Sequence, residues 1–166
     1  MKTGPDTNSV LFVCLGNICR SPLAEGVFLH LLQERGLADA YLVDSCGTGG
    51  WHVGEPPDPR SRAIAQKYGI ELVSRGRKLD PWEDFNRFHW IIPMDRQNKK
   101  DLVTEGAPKE RVHLLRSFDP ALGGASEKEL DVPDPYWDED DGFEAVYQMV
   151  RAACEGMLAR VHDDRE

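Results

Sequence analysis

Residues 9–22 read SVLFVCLGNICRSP, an apolar run followed by a short turn and a serine–proline pair. A brief apolar run that ends at glycine and asparagine is typical of a buried strand, which we predict over residues 9–15. Ser21 and Pro22 are typical of a helix start, with serine as the N-cap and proline in the first turn. The stretch therefore predicts a strand, a tight turn and a helix, the repeating unit of an α/β fold.

The same alternation continues along the chain. Further strands are predicted at residues 41–44, 89–94 and 111–115, and helices are predicted to begin at Asp58, Asp80 and Asp95 and near Gly142. The order βαβαβαβα predicts a four-stranded parallel sheet with helices on both faces. Ligands of such sheets bind beyond the carboxyl ends of the strands, which directs attention to residues 14–21.

Composition limits the classes of function. The chain has 166 residues and a formal charge of −9, which disfavours nucleic-acid binding. It has no apolar run long enough to cross a membrane or to serve as a signal peptide. The four cysteines are too few for a disulfide scaffold, so we expect a cytoplasmic protein with reduced thiols. We expect one domain over residues 9–166, preceded by a frayed N-terminus at residues 1–8.

The first turn has the composition of an anion-binding loop. Gly16 and Asn17 readily adopt positive φ, so the loop can direct several backbone N–H groups at one point. The helix start adds free N–H groups and a partial positive charge, and the Arg20 guanidinium matches two phosphate oxygens. Such a cradle stabilises the thiolate of Cys14, to which the Ser21 hydroxyl can donate.

A second cysteine–arginine pair has the same spacing. Cys154 and Arg160 fall inside the last predicted helix, where six residues turn the chain through about 600° and place the two on nearly opposite faces. They cannot hold one anion together, and Cys154 is predicted to be a small core residue.

Phosphoryl transfer through a thiolate also requires an acid, and residues 131–137, DVPDPYW, offer one on a long irregular segment. Asp134 lies between two prolines that stiffen it. From composition alone Asp131, Asp138 and Glu139 compete with it for the role.

Residues 14–22, CLGNICRSP, resemble the signature loop of the low-molecular-weight protein tyrosine phosphatases, and residues 134–136, DPY, resemble the general-acid loop of that family. Similar stretches occur at residues 44–45, 51–60, 94–95 and 143–147. The resemblance extends over residues 9–162 in the expected order.

The resemblance implies a role for each motif residue. Cys14 would be the nucleophile that becomes a phosphocysteine, Asp134 the general acid and then base, and Ser21 the group that stabilises the departing thiolate. The phosphate would be bound by Arg20 and by the N–H groups of Leu15, Gly16, Asn17, Ile18, Cys19 and Arg20. Asn17 would support the loop through a bond to Ser45, and the cleft walls would be Ile18, Trp51, Tyr136 and Trp137.

The resemblance also implies partners and regulation. The substrate would be a phosphotyrosine-containing protein, with phosphate and other oxyanions as inhibitors and no metal or organic cofactor required. Cys19 would form a reversible disulfide with Cys14. We expect a monomer or a weak homodimer that binds neither nucleic acid nor membranes.

Departures from the family pattern keep further functions open. Ser74 stands where mammalian members have a histidine that supports the loop. An arginine-phosphate phosphatase of the same family would carry threonine at Ile18. An arsenate reductase would require further cysteines between Cys46 and Cys154, where this chain has none. A zinc site at Cys14 and Cys19 would require a second pair of ligands at zinc-finger spacing, which the sequence does not offer. A non-enzymatic anion-binding module would not need the general acid.

Overall fold

A computed structural model describes residues 5–137 and 140–163. Its strands are β1 (Ser9–Cys14), β2 (Leu42–Gly47) and β3 (Trp90–Pro93). Its α-helices are α1 (Arg20–Glu34), α2 (Pro59–Lys67), α3 (Pro81–Arg87), α4 (Arg96–Thr104) and α5 (Asp140–Asp163). Short 3₁₀ turns lie at Ala38–Ala40, Lys109–Arg111, Leu115–Phe118, Pro120–Leu122 and Glu127–Leu130.

The described strands form a parallel sheet in the order β2-β1-β3, so β1 is central and buried along its whole length. Val10 and Phe12 pack with α1 and α5 on one face. Leu11 and Val13 pack with α3 and α4 on the other. The predicted parallel sheet covered by helices on both faces is therefore confirmed. The carboxyl end of β1 delivers Cys14 opposite Gly47 of β2.

The predicted fourth strand at residues 111–115 is wrong. In this segment only Val112 forms a parallel bridge to Ile91, and the His113 N–H donates to the Ile91 carbonyl at 3.0 Å. The 3₁₀ turns Lys109–Arg111 and Leu115–Phe118 close in from both sides and leave too few extended residues for a ladder. The described part of the sheet has three strands, not four.

Aspartate caps begin three of the helices as predicted. The side chains of Asp58, Asp80 and Asp95 accept hydrogen bonds from backbone N–H groups in the first turns of α2, α3 and α4. Ser21 is not an N-cap: α1 begins at Arg20, and its N-cap Cys19 makes no side-chain capping bond. The Ser21 hydroxyl is used by the loop before the helix instead, as described below.

The predicted fraying of residues 1–8 can be compared with the structure only at residues 5–8, because residues 1–4 lie outside the described residues. Residues 7 and 8 touch the body of the fold: the Thr7 carbonyl accepts from the Trp90 indole and the Asn8 amide donates to the Ala40 carbonyl. Among the described helices, none combines the length and apolar character that a membrane crossing requires.

Candidate active site

The turn between β1 and α1 wraps around the Cys14 sulfur. Cys14 is buried at the end of β1, and its Sγ accepts from the Asn17 backbone N–H at 3.2 Å. Asn17 has φ +56°, the only non-glycine residue in the described chain with positive φ. That left-handed residue reverses the chain and brings its N–H back towards the sulfur. The Ser21 hydroxyl lies 2.9 Å from Sγ.

The Asn17 side chain stabilises the turn through three hydrogen bonds. Its amide nitrogen donates to the hydroxyls of Ser21 at 2.8 Å and Ser45 at 3.0 Å. Its amide oxygen accepts from the Arg77 backbone N–H at 3.0 Å. Gly47 is required beside it, because a Cβ there would lie 2.7 Å from the Leu15 carbonyl oxygen. The predicted Asn17–Ser45 contact is thus present, within a larger network.

Arg20 is a buried cation that several groups hold in place. Its guanidinium donates to Asp95 at 2.6 Å and to the Val132 carbonyl at 3.0 Å, and it lies 3.6 Å from the Asp134 carboxylate. Burial lowers the pKa of Arg20, but the charges of Cys14, Asp95 and Asp134 outweigh burial and hold it above its ordinary value. Arg20 is therefore a permanent positive charge in the same turn as Cys14.

Asp134 is the predicted acid that the structure brings to this cation. It is exposed, and one of its oxygens accepts from the Tyr136 N–H at 3.0 Å. Asp131, the nearest competing carboxylate, pairs instead with Arg96 at 3.1 Å. Asp138 and Glu139, which the sequence also offered as the acid, lie outside the described residues.

A cavity of about 370 Å³ opens above the turn. Trp51 and Trp137 are highly exposed on its rim, at 72% and 88%. Its lining comprises Cys14, Leu15, Gly16, Ile18, Cys19, Arg20, Trp51, His52, Asp134, Tyr136 and Trp137. The predicted nucleophile, arginine, acid and cleft-wall residues all line this cavity. The supporting residues Asn17, Ser21 and Ser45 lie beneath it. A larger cavity of about 610 Å³ beyond Leu15 and Trp51 contains none of the reacting groups.

The four cysteines are free thiols, all buried. Burial raises the pKa of Cys19 to about 12, so Cys19 is neutral at physiological pH. Cys154 is fully buried between α1 and α5, as the core interpretation predicts. In the described ranges, no group of three or more His, Cys, Asp or Glu side chains converges as metal ligands would.

Several residues of the site were not assigned to it from the sequence. Asp95 was recognised only as a helix cap, yet one of its oxygens caps α4 and the other binds Arg20. Arg60 binds Asp58 through two hydrogen bonds of 3.1 Å and donates to the Tyr136 carbonyl at 2.9 Å. His52, which the family resemblance places near the cleft rim without assigning it a role, lines the cavity, with its ring 6.4 Å from that of Tyr136. The Asp95–Arg20, Arg60–Tyr136 and His52–Tyr136 contacts join residues far apart in the chain and leave no local signal.

Comparisons with known proteins show which family the chain is similar to. The family model of the low molecular weight phosphotyrosine protein phosphatases matches residues 9–166. A low molecular weight protein-tyrosine-phosphatase of Streptomyces coelicolor is 44% identical over 165 residues, covering 96% of this chain and 97% of the relative. A solved protein tyrosine phosphatase of Entamoeba histolytica, with Hepes in its active site, is 33% identical with a TM-score of 0.85, covering 95% and 99% of the two chains. The Drosophila arginine phosphatase is 33% identical with a TM-score of 0.81, covering 91% and 96%. This chain belongs to the low molecular weight phosphotyrosine protein phosphatase family.

Proposed function

We propose that the protein hydrolyses phosphotyrosine in protein substrates through a phosphocysteine on Cys14. The observation that carries the proposal is one cavity lined by a buried thiol, a buried guanidinium and an exposed carboxylate, with Arg20 and Asp134 3.6 Å apart. These are the nucleophile, the anion clamp and the acid that the reaction requires. We place the whole activity in one domain over residues 9–166.

The first step is attack of the Cys14 thiolate on phosphorus. An S–P bond forms, the P–O bond to the phenol breaks, and Asp134 gives its proton to the leaving oxygen. Arg20 and the N–H groups of residues 15–20 bind the equatorial phosphoryl oxygens. No metal or organic cofactor has a part in this scheme.

The second step is hydrolysis of the phosphocysteine. Asp134, now ionised, takes a proton from water, the water oxygen attacks phosphorus, and the S–P bond breaks. The Ser21 hydroxyl, 2.9 Å from Sγ, donates to the departing thiolate. Phosphate, the product, and other oxyanions should inhibit by occupying the same loop. A sulfonate, Hepes, is bound in the active site of the Entamoeba relative.

The walls favour an aromatic substrate. Ile18 lies under the cavity, and Trp51, Tyr136 and Trp137 surround its mouth, a set suited to a phenyl ring. The arginine phosphatase among the solved relatives keeps phosphoarginine as the second candidate.

The chemistry also suggests the setting of the protein. Because Cys14 must remain a thiolate, we place the protein in a reducing compartment, the cytoplasm, as a monomer or weak homodimer without nucleic-acid or membrane partners. Peroxide would oxidise Cys14 to the sulfenic acid. Attack by Cys19 would then form the disulfide and release water, which protects Cys14 from further oxidation.

The test is hydrolysis of p-nitrophenyl phosphate under reducing conditions. Cys14→Ser should lower turnover by about a thousandfold or more, since the hydroxyl is a far weaker nucleophile. Cys154→Ala, which removes a thiol remote from the cavity, should retain turnover. A folded, reduced wild type without activity would contradict the proposal, and phosphoarginine and arsenate would then be assayed.

A further inference from the structure

Glu25 is a mostly buried carboxylic acid beneath the phosphate-binding loop, and the mechanism above does not use it. It lies on α1 one turn beyond Ser21. Its Oε1 accepts from the Ser45 hydroxyl, which is a neutral donor rather than a cation. The Ser74 hydroxyl also favours the ionised form of the carboxyl group and so lowers its pKa.

Hydrogen bonds connect this carboxylate to the reacting sulfur through Asn17. Because the Asn17 amide oxygen accepts from the Arg77 N–H, the amide NH₂ faces Ser21 and Ser45. Each serine oxygen accepts one amide hydrogen and therefore donates its own hydrogen outward. Ser45 donates to Glu25. Ser21 donates to Cys14 Sγ at 2.9 Å, since its other acceptor, the Cys46 carbonyl, is at 3.5 Å.

The charged groups around Glu25 do not offset the effect of burial on its pKa. Arg77 is the cation that acts on it from the segment following α2, but the Arg77 guanidinium pairs with Asp44 at 3.1 Å and Asp84 at 3.0 Å. Asp44 acts on it from β2 with the same sign as its own ionised form. Burial is the largest effect and raises the pKa of Glu25 to about 7, so its charge changes near neutral pH.

We propose that Glu25 couples oxyanion binding in the Cys14–Arg20 loop to a proton, and that the loop binds a dianion most tightly while Glu25 is neutral. The carboxylate lies within about 11 Å of Sγ, the combined length of the four hydrogen bonds that join them. At that distance, repulsion between ionised Glu25 and a bound dianion outweighs the slight strengthening of the hydrogen-bond chain. Ionisation should weaken dianion binding roughly five- to tenfold.

Coupling of this kind is reciprocal. An anion in the loop must raise the affinity of Glu25 for its proton by the same factor that the proton raises the affinity for the anion. Glu25 acts here as a positioning residue, since it reaches the anion only through Ser45 and Asn17.

The inference rests on the proposed oxyanion site but not on turnover, so it is tested by binding. Sulfate is a suitable probe because it stays a dianion across the pH range used. Its dissociation constant would be measured calorimetrically at pH 5.5, 7 and 8.5. In the wild type, affinity should fall five- to tenfold as pH rises, whereas Glu25→Gln should keep the low-pH affinity throughout. Glu34→Gln, at the far end of α1, is the matched control and should behave as wild type.

Other titratable groups beside the bound anion are Cys14, Asp134 and His52, and His52 needs its own variant. If His52→Asn abolishes the pH dependence and Glu25→Gln does not, the proposal is overturned in favour of the imidazole. A pH-independent wild type also overturns it, as does a folded Glu25→Gln protein that binds sulfate poorly at every pH.

A measurement on the wild type avoids the question of whether the variant folds. The carboxyl ¹³C resonance of Glu25 should titrate near neutral pH and move to higher pH in saturating sulfate. An unchanged titration would overturn the coupling. Because neither experiment measures phosphatase turnover, failure of the proposed activity would be distinguishable from failure of this inference.

Discussion

At the scale of single residues, the site depends on side chains that serve two partners. One Asp95 oxygen caps α4 while the other accepts from Arg20, and the Asn17 amide nitrogen donates to both Ser21 and Ser45. Asn17 is buried and Asp95 is partly buried, and the polar atoms of both are paired, so a conservative change that removes one atom disturbs two contacts. Precise placement of Arg20 and Cys14 follows from this sharing.

The variant Asp134→Asn tests proton donation to the leaving group separately from phosphate binding and nucleophilic attack. The amide keeps the size of the side chain but has no proton to give to the leaving group. Turnover of phenyl phosphate should fall by about 10²- to 10³-fold, and turnover of an activated ester with a good leaving group much less. The measurement is kcat for a series of aryl phosphates of graded leaving ability.

The comparison for that series is Asp131→Asn, which removes the carboxylate paired with Arg96. An equal loss on all esters in Asp134→Asn, with the graded loss appearing in Asp131→Asn instead, would transfer the acid role to Asp131.

At the scale of elements, α2 connects the Cys14–Arg20 loop to the loop that carries Asp134, residues 131–137. The N–H of its cap Asp58 donates to the Ile18 carbonyl at 2.8 Å. The Asp58 carboxylate holds Arg60, and Arg60 donates to the Tyr136 carbonyl. The Arg60 guanidinium also lies 4.5 Å from the centre of the Phe143 ring at the start of α5. These contacts hold Arg60 in place, and Arg60 in turn holds the Tyr136 carbonyl two residues after Asp134.

Arg60→Ala should release the acid loop without harming the anion cradle. We expect kcat for phenyl phosphate to fall about tenfold or more, since small misplacements of a catalytic group are costly, while the dissociation constant for sulfate stays near the wild-type value. Arg62→Ala, an exposed arginine on the same helix, should leave both unchanged. Weakened sulfate binding with unchanged kcat would contradict this role.

The elements also show how far the sequence could predict the structure. The buried strand, the Cys14–Arg20 turn, the aspartate caps and the cleft aromatics are local patterns, and the structure has each of them. Ser21 was wrongly predicted to be a cap, because a serine before proline also suits a helix start, whereas its predicted contact with the Cys14 sulfur is present at 2.9 Å. The segment around Val112 has the apolar pattern of a strand, but flanking 3₁₀ turns limit it to one bridge. Arg77 supports Asn17 through a backbone N–H, which no side-chain pattern predicts.

At the scale of the whole molecule, Glu25 links the function of the loop to the stability of the fold. Its pKa is raised from 4.5 to about 7, so the folded protein binds more protons than the unfolded chain between those values. Stability therefore falls as pH rises through this window, opposite to the usual effect of a paired carboxylate.

Glu25→Gln should remove this loss. Relative to wild type, the free energy of unfolding of the variant should increase by about 2 kcal/mol between pH 5.5 and pH 8. Urea denaturation at the two pH values measures it, and using the difference between the proteins cancels the other titrating groups. A difference that is the same at both pH values would show that Glu25 ionises normally.

The acid loop is tied down on both sides of Asp134. The Val132 N–H donates to the Met94 carbonyl at 2.8 Å, Arg20 holds the Val132 carbonyl, and Arg60 holds the Tyr136 carbonyl, with Pro133 and Pro135 fixing φ between them. Because these contacts already hold the loop in place, the loop does not need to close over the substrate before each turnover. The protein should therefore tolerate immobilisation well: coupled to a resin or cross-linked in a crystal slurry, where large motions are suppressed, it should keep most of its turnover per site.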